Sequence, residues 1–182
     1  MKYVALLRGI NVGGKNKIDM KMLKKTFERK GLENVVTYIN SGNVIFETDA
    51  KSVEEIVEKI EEGIKEDFHL NIRVLLRDYQ NIKSIVDHIS KDWLNNSQQR
   101  TDIMFLWNEV DEPKVLEYVK QNPDVDVVEY FEGSIIWHLD KSKFNQSKMN
   151  DLVGTKLYKQ MTVRNINTVR KLVKLLGEDR GI

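Results

Sequence analysis

The chain has 182 residues, 41% hydrophobic and 31% charged, with two prolines and no cysteine. That balance excludes collagen-like, low-complexity and disordered sequence, leaves one globular domain or two small ones, and rules out disulfides, thiolate catalysis and sulfur-ligated metals. The net charge of +1 is unevenly spread: residues 8–30 carry eight Lys/Arg against two Asp/Glu, residues 141–180 ten against three, and residues 31–140 sum to −13, a pattern that suits either attraction of an anionic partner or mutual attraction of oppositely charged parts.

Tyr3–Leu7 is a run of five apolar residues without alternation, the pattern of a strand covered on both faces. Arg8-Gly9-Ile10-Asn11-Val12-Gly13-Gly14-Lys15-Asn16-Lys17 follows, abruptly polar and rich in glycine. Asp19 predicts the cap of a helix over 20–30, with Met20, Leu23 and Phe27 inward and Gly31 as its stop. Val35–Ile39 and Val44–Glu47 read as strands joined by Asn40-Ser41-Gly42-Asn43, a hairpin-turn composition. Ser52 with Glu55 forms the pattern of a capping box before Val53, Ile56, Val57, Ile60 and Ile64, which recur at helical spacing. Ile72–Leu76 completes β-α-β-β-α-β, the split order of a ferredoxin-like fold.

A helix is predicted over 78–93, and the polar Asn95–Arg100 is where the connection between halves is placed. The order then recurs. Ile103–Trp107 is a second continuous apolar strand, a helix is expected between Pro113 and Pro123, and strands over 125–130 and 135–139 flank Phe131–Ser134. Ser147 opens an expected helix carrying Met149, Leu152, Val153 and Leu157 inward, Met161–Val163 a strand, and Asn165 caps a final helix ended by Gly177. The expected fold is therefore α+β: two tandem ferredoxin-like (βαββαβ) halves with additional helices. The expected domains are residues 1–77 and residues 78–182, with a cleft between them.

Gly9 to Asn16 fits G-x-x-x-x-G-K-[ST] except that Asn16 replaces the hydroxyl that would hold magnesium. Three readings stay open: a degenerate Walker loop, a glycine-rich anion nest flanked by Arg8, Lys15 and Lys17, or a structural turn. Asn40, Ser41 and Asn43 are explained by turn chemistry or by hydrogen bonding to a ligand, and Arg164 beside a helix start suits an anion clamp. Ser147-Lys148 has the composition of a nucleophile with a base, against the alternative of a helix cap. His69, His88 and His138 lack ligand spacing, so no metal site is indicated. Trp93, Trp107 and Trp137 are assigned to the core or an interface.

Ala5–Gly14, Thr37–Val44, Ser147-Lys148 and Arg164–Val169 together make the chain similar to the bacterial domain-of-unknown-function family numbered 1697, over almost its whole length. The resemblance implies an α+β protein with ferredoxin-like halves and supplies no activity, cofactor or catalytic residue. It concentrates on Arg8, Asn11, Gly13, Gly14, Ser41, Asn43, Arg164 and Asn167.

The expected function is binding of an anionic small molecule, a nucleotide or phosphorylated metabolite, near the first loop, through Arg8, Asn11, Gly13, Gly14, Lys15, Ser41, Asn43, Arg164 and Asn167. The alternatives are a nucleic-acid-binding module built on the basic segments, and an enzyme whose reaction and catalytic residues the sequence leaves unknown. A homo-oligomer is compatible with an exposed sheet edge. No apolar run approaches the ~20 residues of a membrane helix and no signal-peptide pattern opens the chain, so a cytoplasmic protein without a membrane partner is expected.

Overall fold

The structure, a computed structural model, describes residues 1–178. The described residues divide into two compact units, one formed by residues 1–79 with residues 174–178, the other by Gln80–Val173.

The first unit contains β1 (Lys2–Leu7), α1 (Met20–Arg29), β2 (Glu33–Tyr38), β3 (Asn43–Glu47), α2 (Val53–Phe68) and β4 (Val74–Asp78). Its antiparallel sheet has the order β2-β3-β1-β4. A central strand buries both faces, and β1 shows why its sequence does not alternate. Tyr3, Ala5 and Leu7 join Phe27, Phe46 and the isoleucines of α2 in one core, while Val4 and Leu6, on the opposite face, are buried as well.

Asp19 caps α1 by accepting the Met22 N–H at 2.8 Å, and Leu23 and Phe27 are buried as the spacing requires. Ser52 caps α2 by accepting the Glu55 N–H, and its hydroxyl donates to the carboxylate of Glu54 rather than entering a reciprocal box with Glu55. Helices α1 and α2 are joined by Arg29 to Glu66 and Asp67 and by Lys30 to Glu62 and Glu66.

The second unit holds most of α3 (Tyr79–His88), then β5 (Gln99–Leu106), β6 (Val127–Phe131), β7 (Ser134–Asp140), α4 (Met149–Leu152), β8 (Met161–Asn165) and the greater part of α5 (Ile166–Gly177). Its sheet has the order β6-β7-β5-β8, the same relative order as the first. Trp137 is fully buried in a core with Met104, Leu139, Leu152 and Met161. The polar Asn95–Arg100 lies inside this unit, where Asn96 turns the chain by donating its N–H to the Gln99 carbonyl.

Here two expected helices shrink. The segment after Pro113 is a 3-10 turn ending at Tyr118, because Val119 is already extended. Helix α4 is a single turn: Val153 leaves it in extended geometry and Gly154 follows at positive φ, so Val153 is exposed rather than inward. No described helix is long and apolar enough to cross a membrane.

Candidate functional site

The loop after β1 is a small hairpin with an asparagine clasp at its base. Lys15 donates its N–H to the Val12 carbonyl at 3.0 Å, and Gly13 and Gly14 form the two-residue tip with φ of +57° and +75°. Two successive positive φ values are the geometry of a type I′ turn, which glycine adopts without steric cost. Asn11 donates through Nδ2 to the Ile18 carbonyl at 3.0 Å and the Asn40 carbonyl at 2.9 Å, and its Oδ1 accepts the Ile18 N–H at 2.8 Å. One carboxamide thereby closes the loop on itself and ties it to the turn between β2 and β3.

That turn is equally well defined. Asn43 is fully buried and donates to the Tyr38 carbonyl and to Ser41 Oγ, each at 3.0 Å. Gly42, at φ +82°, accepts the Leu7 N–H at 2.8 Å, and a Cβ on it would lie 2.8 Å from Leu7 Cβ. Ser41 and Asn43 therefore hold the turn that seats the first loop, and Arg8 donates its N–H to the Arg73 carbonyl at 3.0 Å. Among the described residues, the Gly13 and Gly14 N–H groups have no acceptor.

An open cavity of about 350 Å³ lies against this assembly, lined by Asn11, Gly14, Lys17, Ile18, Asp19, Met20 and Asn40. Its electrostatics follow from which cations are already neutralised. Arg29 and Lys30 are taken by the carboxylates of α2, which hold both side chains above their usual pKa, and Lys24 faces Glu28 at 3.6 Å. Lys15, Lys17, Lys21 and Lys25 have no carboxylate partner among the described residues. The loop is not a Walker loop: Lys15 sits at a hairpin tip and α1 begins only at Met20, so no helix terminus is aimed past the lysine.

Arg164 and Asn167 belong to the second unit. Arg164 is buried on β8, donates to Thr162 Oγ1 at 2.9 Å and the Val163 carbonyl at 2.8 Å, and desolvation brings its guanidinium down to about 10. Asn165 caps α5 by accepting the Thr168 N–H, and Asn167 donates to the Asn95 carbonyl at 2.8 Å.

Ser147 donates to the Asp126 carboxylate and accepts the Met149 N–H, a side-chain turn leading into α4, whose N-cap is Lys148 rather than the expected Ser147. Asp126 also accepts from the Asn122 and Lys148 N–H groups and from Trp137 Nε1. Burial pushes its carboxyl up, but those four donors outweigh it and hold it below the usual carboxylate range. His138 stacks under Trp93 with centroids 4.5 Å apart, and its Nδ1 lies 2.8 Å from Thr101 Oγ1. The Thr101 hydroxyl donates to the Leu94 carbonyl, so it accepts from His138, whose proton is therefore on Nδ1. Among the described residues no group of three or more His, Asp or Glu is arranged to hold a metal.

In the sequence Asn40 is open to turn chemistry or ligand contact and falls outside the expected site, and Asp126 is not singled out. A turn asparagine is ordinarily explained by its turn, and the partners of Asp126 lie up to 22 residues away.

Residues 1–137 match the model of a family described as Protein of unknown function (DUF1697). The chain belongs to this family. The match takes in both long motifs, Ala5–Gly14 and Thr37–Val44, which meet in the Asn11–Asn40 clasp. Among solved structures, the conserved bacterial protein SP0830 from Streptococcus pneumoniae is similar to this DUF1697 chain: 27% identical, with a TM-score of 0.81, over 96% of this chain and 98% of that one. A comparison with curated proteins gives no significant match.

Proposed function

We propose that the first unit binds an anionic, phosphate-bearing ligand, a nucleotide or other phosphorylated metabolite, at the glycine-rich hairpin. The observation that carries this reading is Lys17, which lines an open cavity beside Gly14 and has no carboxylate partner among the described residues, with Lys15 close by in the same loop; Asp19 lines the cavity as well, but its carboxylate is engaged in capping α1. Fixed cations beside backbone N–H groups with no acceptor suit a phosphate group. Asn11, Ser41 and Asn43 would act indirectly, by holding the loop and the turn in register. Arg8 would add charge at the loop's base.

This reading takes each half of the chain, residues 1–77 and residues 78–182, as ferredoxin-like, supported by the shared strand order, and the protein as cytoplasmic. Arg164 and Asn167 keep a role in the second half through the bonds described above.

The test is a thermal-shift titration with inorganic tripolyphosphate on the wild-type chain and on a Lys15→Ala/Lys17→Ala variant. Ligand at ~100 times its dissociation constant stabilises the native state by about 2.7 kcal/mol. A rise in Tm lost in the variant supports the reading; an equal rise in both removes it.

A second reading rests on Lys21 and Lys25, one helical turn apart on α1, which extend the positive surface beyond the cavity. A nucleic-acid backbone tracking that line would lose affinity steeply with salt, with a slope of about −0.7 to −0.9 per phosphate contacted. A single small anion would respond weakly.

A further inference from the structure

We propose that the end of the first unit carrying the glycine-rich hairpin docks on an anionic lipid bilayer, with Val12 and Ile39 entering the headgroup boundary and the surrounding lysines held against lipid phosphates. The charge in this proposal rests on the anionic-ligand reading above. The choice of a lipid surface rests on apolar side chains that lie outside the cavity.

The charge is one-sided. Residues 8–25, which make the hairpin and the first turns of α1, hold six Lys/Arg against one carboxylate, that of Asp19, which accepts the Met22 N–H. Residues 34–46, which supply the turn packed against the hairpin, contain no charged residue. Lys24 is shared with Glu28, whereas the exposed Lys15, Lys17, Lys21 and Lys25 have no carboxylate partner among the described residues. Beside an anionic membrane each such lysine is worth roughly fivefold in affinity.

The apolar contribution comes from the same two loops. Val12 is 65% exposed and Ile39 47% exposed. The hairpin bridges Val12 to Lys15, which sets an aliphatic side chain and a cation directly opposite each other. The bond from Asn11 Nδ2 to the Asn40 carbonyl joins hairpin and turn, so Val12 and Ile39 each adjoin one end of it. Ile39 also holds a φ of +49°. A β-branched residue is strained there, and here the strain is not exchanged for burial. Exposed aliphatic groups beside lysines are the composition of a surface that lies in a bilayer interface, and such a contact needs no spanning helix. A phosphorylated small molecule in the cavity would leave both residues in water, because neither lines it. A nucleic acid would engage the lysines, but its bases stack on aromatic or guanidinium planes rather than on aliphatic side chains.

The experiment is co-sedimentation of the full chain with vesicles of phosphatidylcholine alone and of phosphatidylcholine and phosphatidylglycerol in equal parts, repeated on Val12→Ser/Ile39→Asn, with the tripolyphosphate Tm shift of both proteins measured alongside. Both positions are exposed, the Val12 carbonyl that accepts from Lys15 survives, and asparagine suits the left-handed backbone, so the fold is retained. The expected result is binding to the mixed vesicles about tenfold or more above that to phosphatidylcholine, and a loss of about tenfold or more in the variant with its tripolyphosphate shift unchanged. Vesicle binding that is absent, or equal in variant and wild type, would overturn the membrane assignment, and a tripolyphosphate shift retained in that case would leave the anion site standing. Neither vesicle binding nor a tripolyphosphate shift would overturn both. Binding to a single-stranded oligonucleotide that is tighter than to vesicles and indifferent to the double substitution would overturn the lipid assignment in favour of a nucleic-acid backbone.

Discussion

Substituting Gly42 by alanine isolates the contact that seats the first loop on the sheet. Two costs are built in. At φ +82° an L-residue is strained by about 1–2 kcal/mol. The added Cβ also lies 2.8 Å from Leu7 Cβ and 2.9 Å from Ile10 Cδ1, both buried side chains with little room to move, and overpacking of that kind costs about 1–3 kcal/mol. Gly31 supplies the control, because it has the same φ of +82° and nothing within 4 Å of its Cβ position. Gly31→Ala should therefore lose about 1–2 kcal/mol and Gly42→Ala about 2–5 kcal/mol. The assay is urea unfolding followed by far-UV circular dichroism, since all three tryptophans lie in the second unit and fluorescence would not report on the first. Equal losses in the two variants would refute the claim that the turn is packed against the loop.

Asp126→Asn should destabilise the second unit by about 2–3 kcal/mol, because a carboxamide cannot accept from all four donors that surround the carboxylate. The depressed folded-state pKa of Asp126 means that its contribution is present above the unfolded value of about 3.9 and is lost as pH falls through the folded value, so acid unfolding monitored by tryptophan fluorescence should be less steep in the variant. Asp102 has the opposite sign: burial raises its carboxyl against the opposing pull of Arg100 and Lys141, so its contribution grows as pH falls below the raised value, and Asp102→Asn should remove that gain in the same titration. Ile39→Asn should stabilise the chain by about 1 kcal/mol through relief of the left-handed backbone, read as a higher urea midpoint.

The strands and the first two helices were legible because their signals are local. A five-residue apolar run gave β1, Asp19 and Ser52 gave helix starts, and glycine with asparagine gave the turns. The expected helices near residues 113–122 and 147–157 were not, because extended backbone at Val119 and Val153 interrupts an apolar spacing that otherwise suits a helix. At the site, the loop's glycines and lysines were visible in sequence, but the duties of its asparagines were not. Asn11 and Asn43 spend their carboxamides on backbone carbonyls and a neighbouring hydroxyl, whereas the exposed Asn40 contributes its backbone carbonyl to Asn11. Residue type alone does not separate these cases, since each asparagine stands in a turn-like polar stretch. Arg164 was similarly ambiguous: its position before a helix suggested an exposed clamp, and its burial on β8 is set by strand register.

The most direct measurement of the central claim is a ¹⁵N–¹H correlation spectrum of the chain titrated with tripolyphosphate. The proposed site predicts saturable shifts of the Gly13, Gly14, Lys15 and Lys17 amides, with Gly31 and Gly133 unmoved as internal references. A spectrum that does not change, or one whose shifts fall elsewhere in the chain and spare the hairpin tip, would contradict it.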